Sequence, residues 1–394
     1  MATTVREDFI ATAAKLGDFA AEYDDQADRE RRLSPLVVEE MFRSGLTRLV
    51  RSKRLGGHEV PVSDYVEVLR EVSSHSGSAG WVLQVMTIHE WFMSYTHPEL
   101  QADVYGADPE AVVVDAVPPV GDAKPAAGGF ELSGRWRFVS GVEWSTWAAV
   151  GAVAVLPDGP GTPEPCLFFV PRREFSIVDE WDTLGLRGTA SNTVVVDSVF
   201  VPTHRVFPVG RVAATGEPVA ERLDDGPLFH VPWGPMLCAS IFPASIGIAQ
   251  HALAEFRNWT EQRVRPYEAG AAQRENPYTQ ILLAESATRL DAVQALATRY
   301  AAELDRRGSD RRTVLTPEER ARLFAWRGYI SQTSSEIVDR LFRESGGNAQ
   351  FATHPLHRLF RDSHAAASHA SLLTGDSMLS YARAMFGGPG HPMF

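Results

Sequence analysis

The chain has 394 residues, with 44% hydrophobic and 22% charged residues and a formal net charge of −12. That length accommodates two or three packed units, and the composition is ordinary for a globular protein. The acidic balance excludes an extended nucleic-acid groove or an anionic membrane surface, both of which select Lys and Arg.

The opening MATTVREDFIATAAKLGDF reads as a helix and lacks the layout of a signal peptide. No long uninterrupted apolar run is evident, so no membrane span and a cytoplasmic location are expected. Phe9, Ala13, Leu16 and Phe19 recur at helical spacing. Ser34 before Pro35 predicts a capped helix start, with Gly45 beyond its end. Ser63 is a second candidate cap, ahead of Tyr65, Val66, Leu69 and Val72. A small-residue break from Ser73 to Gly80 precedes a helix expected over about 81–95. Residues 1–110 are thus expected to form a helical domain.

From about 111 to 215 the pattern changes. AVVVDAV, FELSGRWRFVSG, WAAVGAVAVL, CLFFVP and NTVVVDSVFVP are short and rich in Val, Phe and Trp, punctuated by Gly, Pro and Asp. They predict a β unit, a small barrel or folded sheet. Residues 216–394 return to long helices, expected over about 239–263, over the segment carrying Ile281 to Tyr300, over 316–342 and over 355–385. Thr316-Pro317-Glu318-Glu319 is a capping box with proline in the first turn. Four such helices imply an antiparallel bundle.

Common chemistries are missing. Lys15, Lys53 and Lys124 are the only lysines, and none lies in a phosphate-binding loop. No GxGxxG, HExxH or GxSxG string occurs. Cys166 and Cys238 make neither a disulfide framework nor a zinc knuckle. His354 and His357 have ligand-like spacing but no third partner, so no metal is expected.

Helices, then a β unit, then a four-helix bundle resembles the acyl-CoA dehydrogenase fold. Ordered strings carry the resemblance over nearly the whole chain: RWRFVSG (Arg135 to Gly141), WDTLGLRGTASNTVVVDSVFVP (Trp181 to Pro202) and ESGGNAQFATHPLHRLFRD (Glu344 to Asp362). Dehydrogenases of this fold need a carboxylate base, often two helical turns after the Arg-Asp pair. Here Arg361-Asp362 leads to SHAAASHASLL, with His369 near that position and no Asp or Glu before Asp376. Some relatives carry the glutamate on an earlier helix.

The substitution, with WGPM, GLRGTASNT, RLFRESGG and RDSHAAASHA, resembles the two-component flavin-dependent aromatic monooxygenases. Among these are the oxygenase components acting on 4-hydroxyphenylacetate and on a phenolic seco-steroid. The resemblance implies reduced flavin (FADH2 or FMNH2) and O2, a flavin C4a-hydroperoxide, and hydroxylation of an electron-rich, polycyclic phenol or indole. With no nicotinamide domain, it also implies a separate NAD(P)H-dependent flavin reductase. A homodimer or homotetramer is expected, with no nucleic-acid or membrane partner. The rival readings are an acyl-CoA dehydrogenase-type oxidoreductase, an N-oxygenase of an amine or amino sugar, and a catalytically dead scaffold of the same fold.

By motif the catalytic roles fall on Ser140, which would bond flavin N5, and on His89 and His369. An imidazole with an ordinary pKa near 6.5 can share a phenol's proton near neutrality. Phe138, Arg187, Gly188, Thr189, Arg263, Gly346 and Gly347 would hold the cofactor. Each has a plainer reading. His89 sits with Val82, Val85 and Phe92 and reads equally as core. His369 faces Ala365, Ala366 and Leu372. Ser140-Gly141 is a common turn pair. Arg263 is equally a cationic helix end. Gly346-Gly347 also serves as a helix terminator.

Overall fold

The computed structural model describes residues 2–265 and 268–391. Six helices come first: α1 (Ala2–Ala21), α2 (Asp24–Glu30), α3 (Pro35–Arg43), α4 (Val62–Ser73), α5 (Gly77–Phe92) and α6 (Pro98–Tyr105). α5 is the axis of this part, and every one of its residues is buried. Ser76 starts it by accepting a hydrogen bond from the Ala79 amide at 3.3 Å. The helix therefore begins four residues before Trp81, inside the segment read as a break.

Two expected caps are not made. Ser34 is at the N-cap of α3, with Pro35 behind it, but its side chain accepts no bond from the helix. α4 begins at Val62, and its free amides at Val62 and Ser63 donate to the Asp305 carboxylate at 2.7 and 3.1 Å. A charge from a distant helix thus replaces the local hydroxyl, which suits the positive end of the dipole better.

The β unit comprises β1 (Val113–Ala126), β2 (Gly129–Trp136), β3 (Trp147–Ala154), β4 (Glu164–Pro171), β5 (Ser176–Val178), β6 (Thr193–Pro202) and β7 (Val206–Phe207). They form one folded sheet in the order β5-β6-β2-β1-β3-β4-β7. Fourteen-residue β1 joins its two halves: residues 113–121 pair parallel with β3, and residues 122–126 pair antiparallel with β2. The register slips between Ala116 and Gly121, where the strand turns from one half to the other. Val, Phe and Trp fill the interior, among them Val113, Val150, Phe168, Phe169 and Trp136.

After α7 (Val209–Thr215) and α8 (Trp233–Ala239) come the bundle helices α9 (Phe242–Gln262), α10 (Pro277–Ser309) and α11 (Pro317–Glu344). A two-residue hairpin, β8 (Val264–Arg265) with β9 (Ala271–Ala272), lies between α9 and α10. The Thr316–Glu319 capping box is made in both directions. α11 packs on α9 and α10 and on the last two helices, α12 (Pro355–Ala367) and α13 (Thr374–Met385). The stretch Trp233–Gln262 is long and apolar enough to span a membrane by composition, but 72% of its most apolar window is buried in the fold. Its apolarity serves the bundle core.

The expected last helix, 355–385, is two helices. The chain leaves the helical path at His369 (φ −66°, ψ 136°), makes a single tight turn over Ala370–Leu372, and restarts at Thr374. The local sequence is all helix-compatible, so composition did not show the break. Its cause is the histidine itself. The Ser371 amide donates to His369 Nδ1 at 3.2 Å, a local side-chain bond that competes with the helix ladder.

Candidate active site

Three of the residues singled out by sequence, Ser140, Thr189 and His369, converge around one that was not, Trp81. On α5, residues 81, 85 and 89 are four apart and lie along one face. The Trp81 indole N–H donates to Ser140 Oγ at 3.1 Å. The same ring meets the His369 imidazole edge to face, with centroids 5.9 Å apart. Trp81 thus connects the β2 exit loop to the bend between α12 and α13.

Ser140 is held by backbone and side chain alike. The amides of Val139 and Gly141 donate to the carbonyls of Asn192 and Thr189 at 3.1 Å each. The loop before Ser140 is tightly turned: Phe138 adopts φ +65°, outside the range favoured by residues with a Cβ, and its ring stays 66% exposed. It packs only edge-on against Trp181, with Arg137 over it at 5.4 Å. Ser140 Oγ also meets Ser191 Oγ at 2.7 Å, and Ser191 Oγ meets Thr189 Oγ1 at 2.8 Å.

Two turns along α5, His89 is fully buried. Its Nδ1–H donates to the Val85 carbonyl at 2.7 Å, and Nε2 lies 3.3 Å from Asp115 Oδ2 on β1. That contact is an ion pair without hydrogen-bond alignment, since Nε2 has no well-directed partner. Burial pushes this imidazole down, but the Asp115 carboxylate, the Val85 carbonyl and nearby Glu90 outweigh it and leave the pKa raised. His89 is therefore paired with Asp115. Behind it, Glu90 is fixed by Arg51 at 2.6 Å and by the Tyr105 hydroxyl at 2.8 Å, all buried. That cluster holds α5 to the core from the side away from Trp81.

His369 behaves oppositely. Loss of water contact pushes it down to about 4; Asp115 opposes the shift and Arg327 adds to it. The ring is neutral at pH 7. Because the Ser371 amide can only donate, Nδ1 is the accepting nitrogen, and the single proton resides on Nε2. The ring thus presents a hydrogen-bond donor to the site. The Asp115 charge reaches both histidines.

The remaining candidates go elsewhere. Arg187 is committed to the protein: it bonds Asp182 at 2.6 Å, the Thr183 carbonyl at 2.8 Å and the Asp28 carbonyl at 2.8 Å. This shapes the turn and leaves its guanidinium little reach for a ligand. At Gly188 a Cβ would come within 2.9 Å of Ser78 and 3.1 Å of Ala27, so glycine here lets α2 and α5 approach. Arg263 stacks on Trp259 at 4.2 Å and donates to the Ser345 carbonyl at 2.9 Å. It lies against Gly346, which has φ +71°, while a Cβ on Gly347 would meet nothing within 4 Å. These three form their own cluster, and among the described residues no hydrogen bond or ring contact joins it to Ser140 or His369.

Sequence reading missed Trp81, Asp115 and Ser191. A signal existed for one of them: Asp115 is a lone charge inside VVVDAV, an otherwise buried strand.

The bundle matches the family model for the acyl-CoA dehydrogenase C-terminal domain over residues 239–373. The chain is 30% identical to the flavin-dependent monooxygenase oxygenase subunit HsaA of Rhodococcus jostii, over 91% of this chain and 93% of that one. The chain belongs to this family of flavin-dependent monooxygenase oxygenase subunits. It is also 31% identical to the FADH2-dependent resorcinol hydroxylase oxygenase component of a Rhizobium species, over 72% of this chain and 70% of that one. The solved structure of XiaF from a Streptomyces species, in complex with FADH2 and glycerol, superposes with a TM-score of 0.90 at 26% identity, covering 100% of this chain and 98% of that one.

The site's own residues fit a flavin. A half-buried hydroxyl, Ser140, faces the same loop as an exposed flat ring, Phe138. The neighbouring Trp81 and His369 supply an apolar wall and a directed N–H. A planar aromatic cofactor with polar edge atoms needs this combination.

Proposed function

We propose that this chain hydroxylates an electron-rich aromatic ring, a phenol or an indole, with reduced FAD delivered by a separate NAD(P)H-dependent reductase. Reduced flavin with O2 supplies the oxygen transfer; the protein positions the reactants and keeps water out. Two groups divide the proton work. Asp115 accepts the substrate's O–H or ring N–H, raising electron density in the ring. His369 donates a hydrogen bond through Nε2 to oxygen in the site. His89 pairs with Asp115. Ser140 and Phe138 hold the cofactor's polar edge and face, and the Arg263–Gly346 cluster serves its phosphate end, completed in an oligomer. On this reading the protein works in the cytoplasm alongside its reductase.

The neutral, donor-oriented His369 beside Trp81 carries the reading. An acyl-CoA dehydrogenase uses a carboxylate to take a proton from carbon, and after Arg361-Asp362 this chain carries the imidazole of His369 instead. The test is single turnover with pre-reduced FAD, isotopically labelled O2 and a panel of phenols, indoles and amines. A ring-hydroxylated product carrying one labelled oxygen is expected. Hydrogen peroxide as the sole product with every phenol and indole rules the reading out, and a labelled N-oxide would move the assignment to amine oxygenation.

A further inference from the structure

The hydroxyls behind Ser140 form a chain whose direction is fixed at both ends. At one end, the Trp81 indole N–H can only donate, so Ser140 Oγ accepts from it. At the other, the Leu186 carbonyl can only accept, and of its three donors, the Trp181 indole N–H and the Thr189 amide at 3.1 Å each and the Thr189 hydroxyl at 2.8 Å, the hydroxyl is nearest, so Thr189 Oγ1–H donates to it. Thr189 Oγ1 then has lone pairs but no proton for Ser191, and Ser191 must donate to Thr189. Ser191 in turn has no proton left for Ser140, so Ser140 must donate to Ser191. Each hydroxyl has one proton, and all three are spent pointing away from the site.

From this the geometry points to Ser191 and Thr189 as positioning residues that hold the Ser140 proton away from the cofactor, so that Ser140 offers it a lone pair only. The inference rests on the proposed placement of flavin N5 at Ser140. A reduced flavin carries a hydrogen at N5 and can donate to that lone pair. An oxidised flavin has only a lone pair there and meets another. Serving the oxidised form requires Ser140 to turn its proton outward, which breaks one bond in the buried chain. Thr189 and Ser191 are 1% and 4% exposed, so no water replaces that bond. The chain therefore biases the site toward the reduced cofactor. The turn that carries it is itself constrained, with Leu186 at φ +49° and Ala190 at φ +44°.

The test is anaerobic equilibrium binding of reduced and oxidised FAD to the full chain, read as the ratio of the two affinities. Thr189→Val keeps the volume and removes the terminal hydroxyl; Thr189→Ser keeps the hydroxyl. One hydrogen bond's net worth corresponds to a ratio falling by roughly three- to tenfold in Thr189→Val, with Thr189→Ser holding the wild-type ratio. Ser191→Ala, a milder truncation, repeats the measurement should Thr189→Val not fold, and the same fall is expected. A ratio unchanged in the folded variants overturns the inference. Ser140→Ala separates the two levels of the argument. If it weakens reduced FAD while the relay variants leave the ratio alone, the relay fails and the site stands. If it leaves both affinities at wild type, Ser140 does not meet the cofactor and both fail.

Discussion

Two clusters of buried charge share helix α5, and they are built to opposite rules. At its N-terminal end, Asp24 accepts from the Ser76 hydroxyl at 2.6 Å and pairs with Arg358 at 3.3 Å, while Asp362 accepts from the Leu186 amide at 2.6 Å. Arg361 adds Asp28 and the Leu184 carbonyl. Here α2, α5, α12 and the strand turn are tied together, and the carboxylates are well supplied with donors. Along the middle of α5, by contrast, His89 Nε2 has no aligned partner, and no described group hydrogen-bonds His369 Nε2. A cluster whose carboxylates are all supplied with donors is architecture, whereas imidazole nitrogens left without an aligned partner beside Ser140 and Trp81 mark the candidate site.

The contrast can be broken from either side. Arg358→Met should cost the most stability, about 3 kcal/mol near pH 8, because it leaves carboxylates buried without their cation. Burial holds Asp24 at about 7 and Asp362 at about 6 despite Arg358. Both values lie above the ordinary carboxylate range, so the stability linked to these groups is full below about pH 4 and falls as pH rises through 6 to 7. The Arg358→Met deficit should accordingly shrink at pH 5, where Asp24 is protonated. Denaturant titrations at the two pH values check this; an equal deficit at both would mean Asp24 keeps one protonation state from pH 5 to pH 8.

At the site, the expected losses are in turnover. His369→Ala should lower kcat by about 10²–10³-fold, the usual effect of removing one directed donor, while reduced FAD still binds. Asp115→Asn should lower kcat/KM by about 10²-fold for phenols and by less for substrates lacking an O–H or N–H. Equal losses for both substrate types would remove Asp115 from the proton path. The smallest effect is expected far from both clusters: Thr316→Ala breaks a surface capping box and should cost about 1 kcal/mol, with activity untouched.

The fold was legible because its signals are local. Val-rich alternation marked the strands, and the Thr316 capping box marked α11 to the residue. The site was legible in part. His89, Ser140 and His369 could be named from strings, but their chemistry depends on partners far away in sequence. Asp115 is 26 residues from His89, and Ser191 is 51 from Ser140. His369 shows the limit most clearly: sequence placed it in mid-helix, where its ring would have been free to act as a base. The break it makes in the chain uses Nδ1, and that one bond turns the ring from acceptor to donor. Arg187 fails for a related reason, since a cation beside a loop is as easily spent on the loop's own carbonyls as on a ligand.

Gly185 carries a mechanical consequence. A Cβ there would come within 2.1 Å of the Arg361 carbonyl oxygen, so the strand turn lies backbone against backbone on α12. The Thr189 hydroxyl sits four residues along one side of that weld, and His369 eight residues along the other. The chain segments that lead to both walls of the site are thus joined at one close backbone contact.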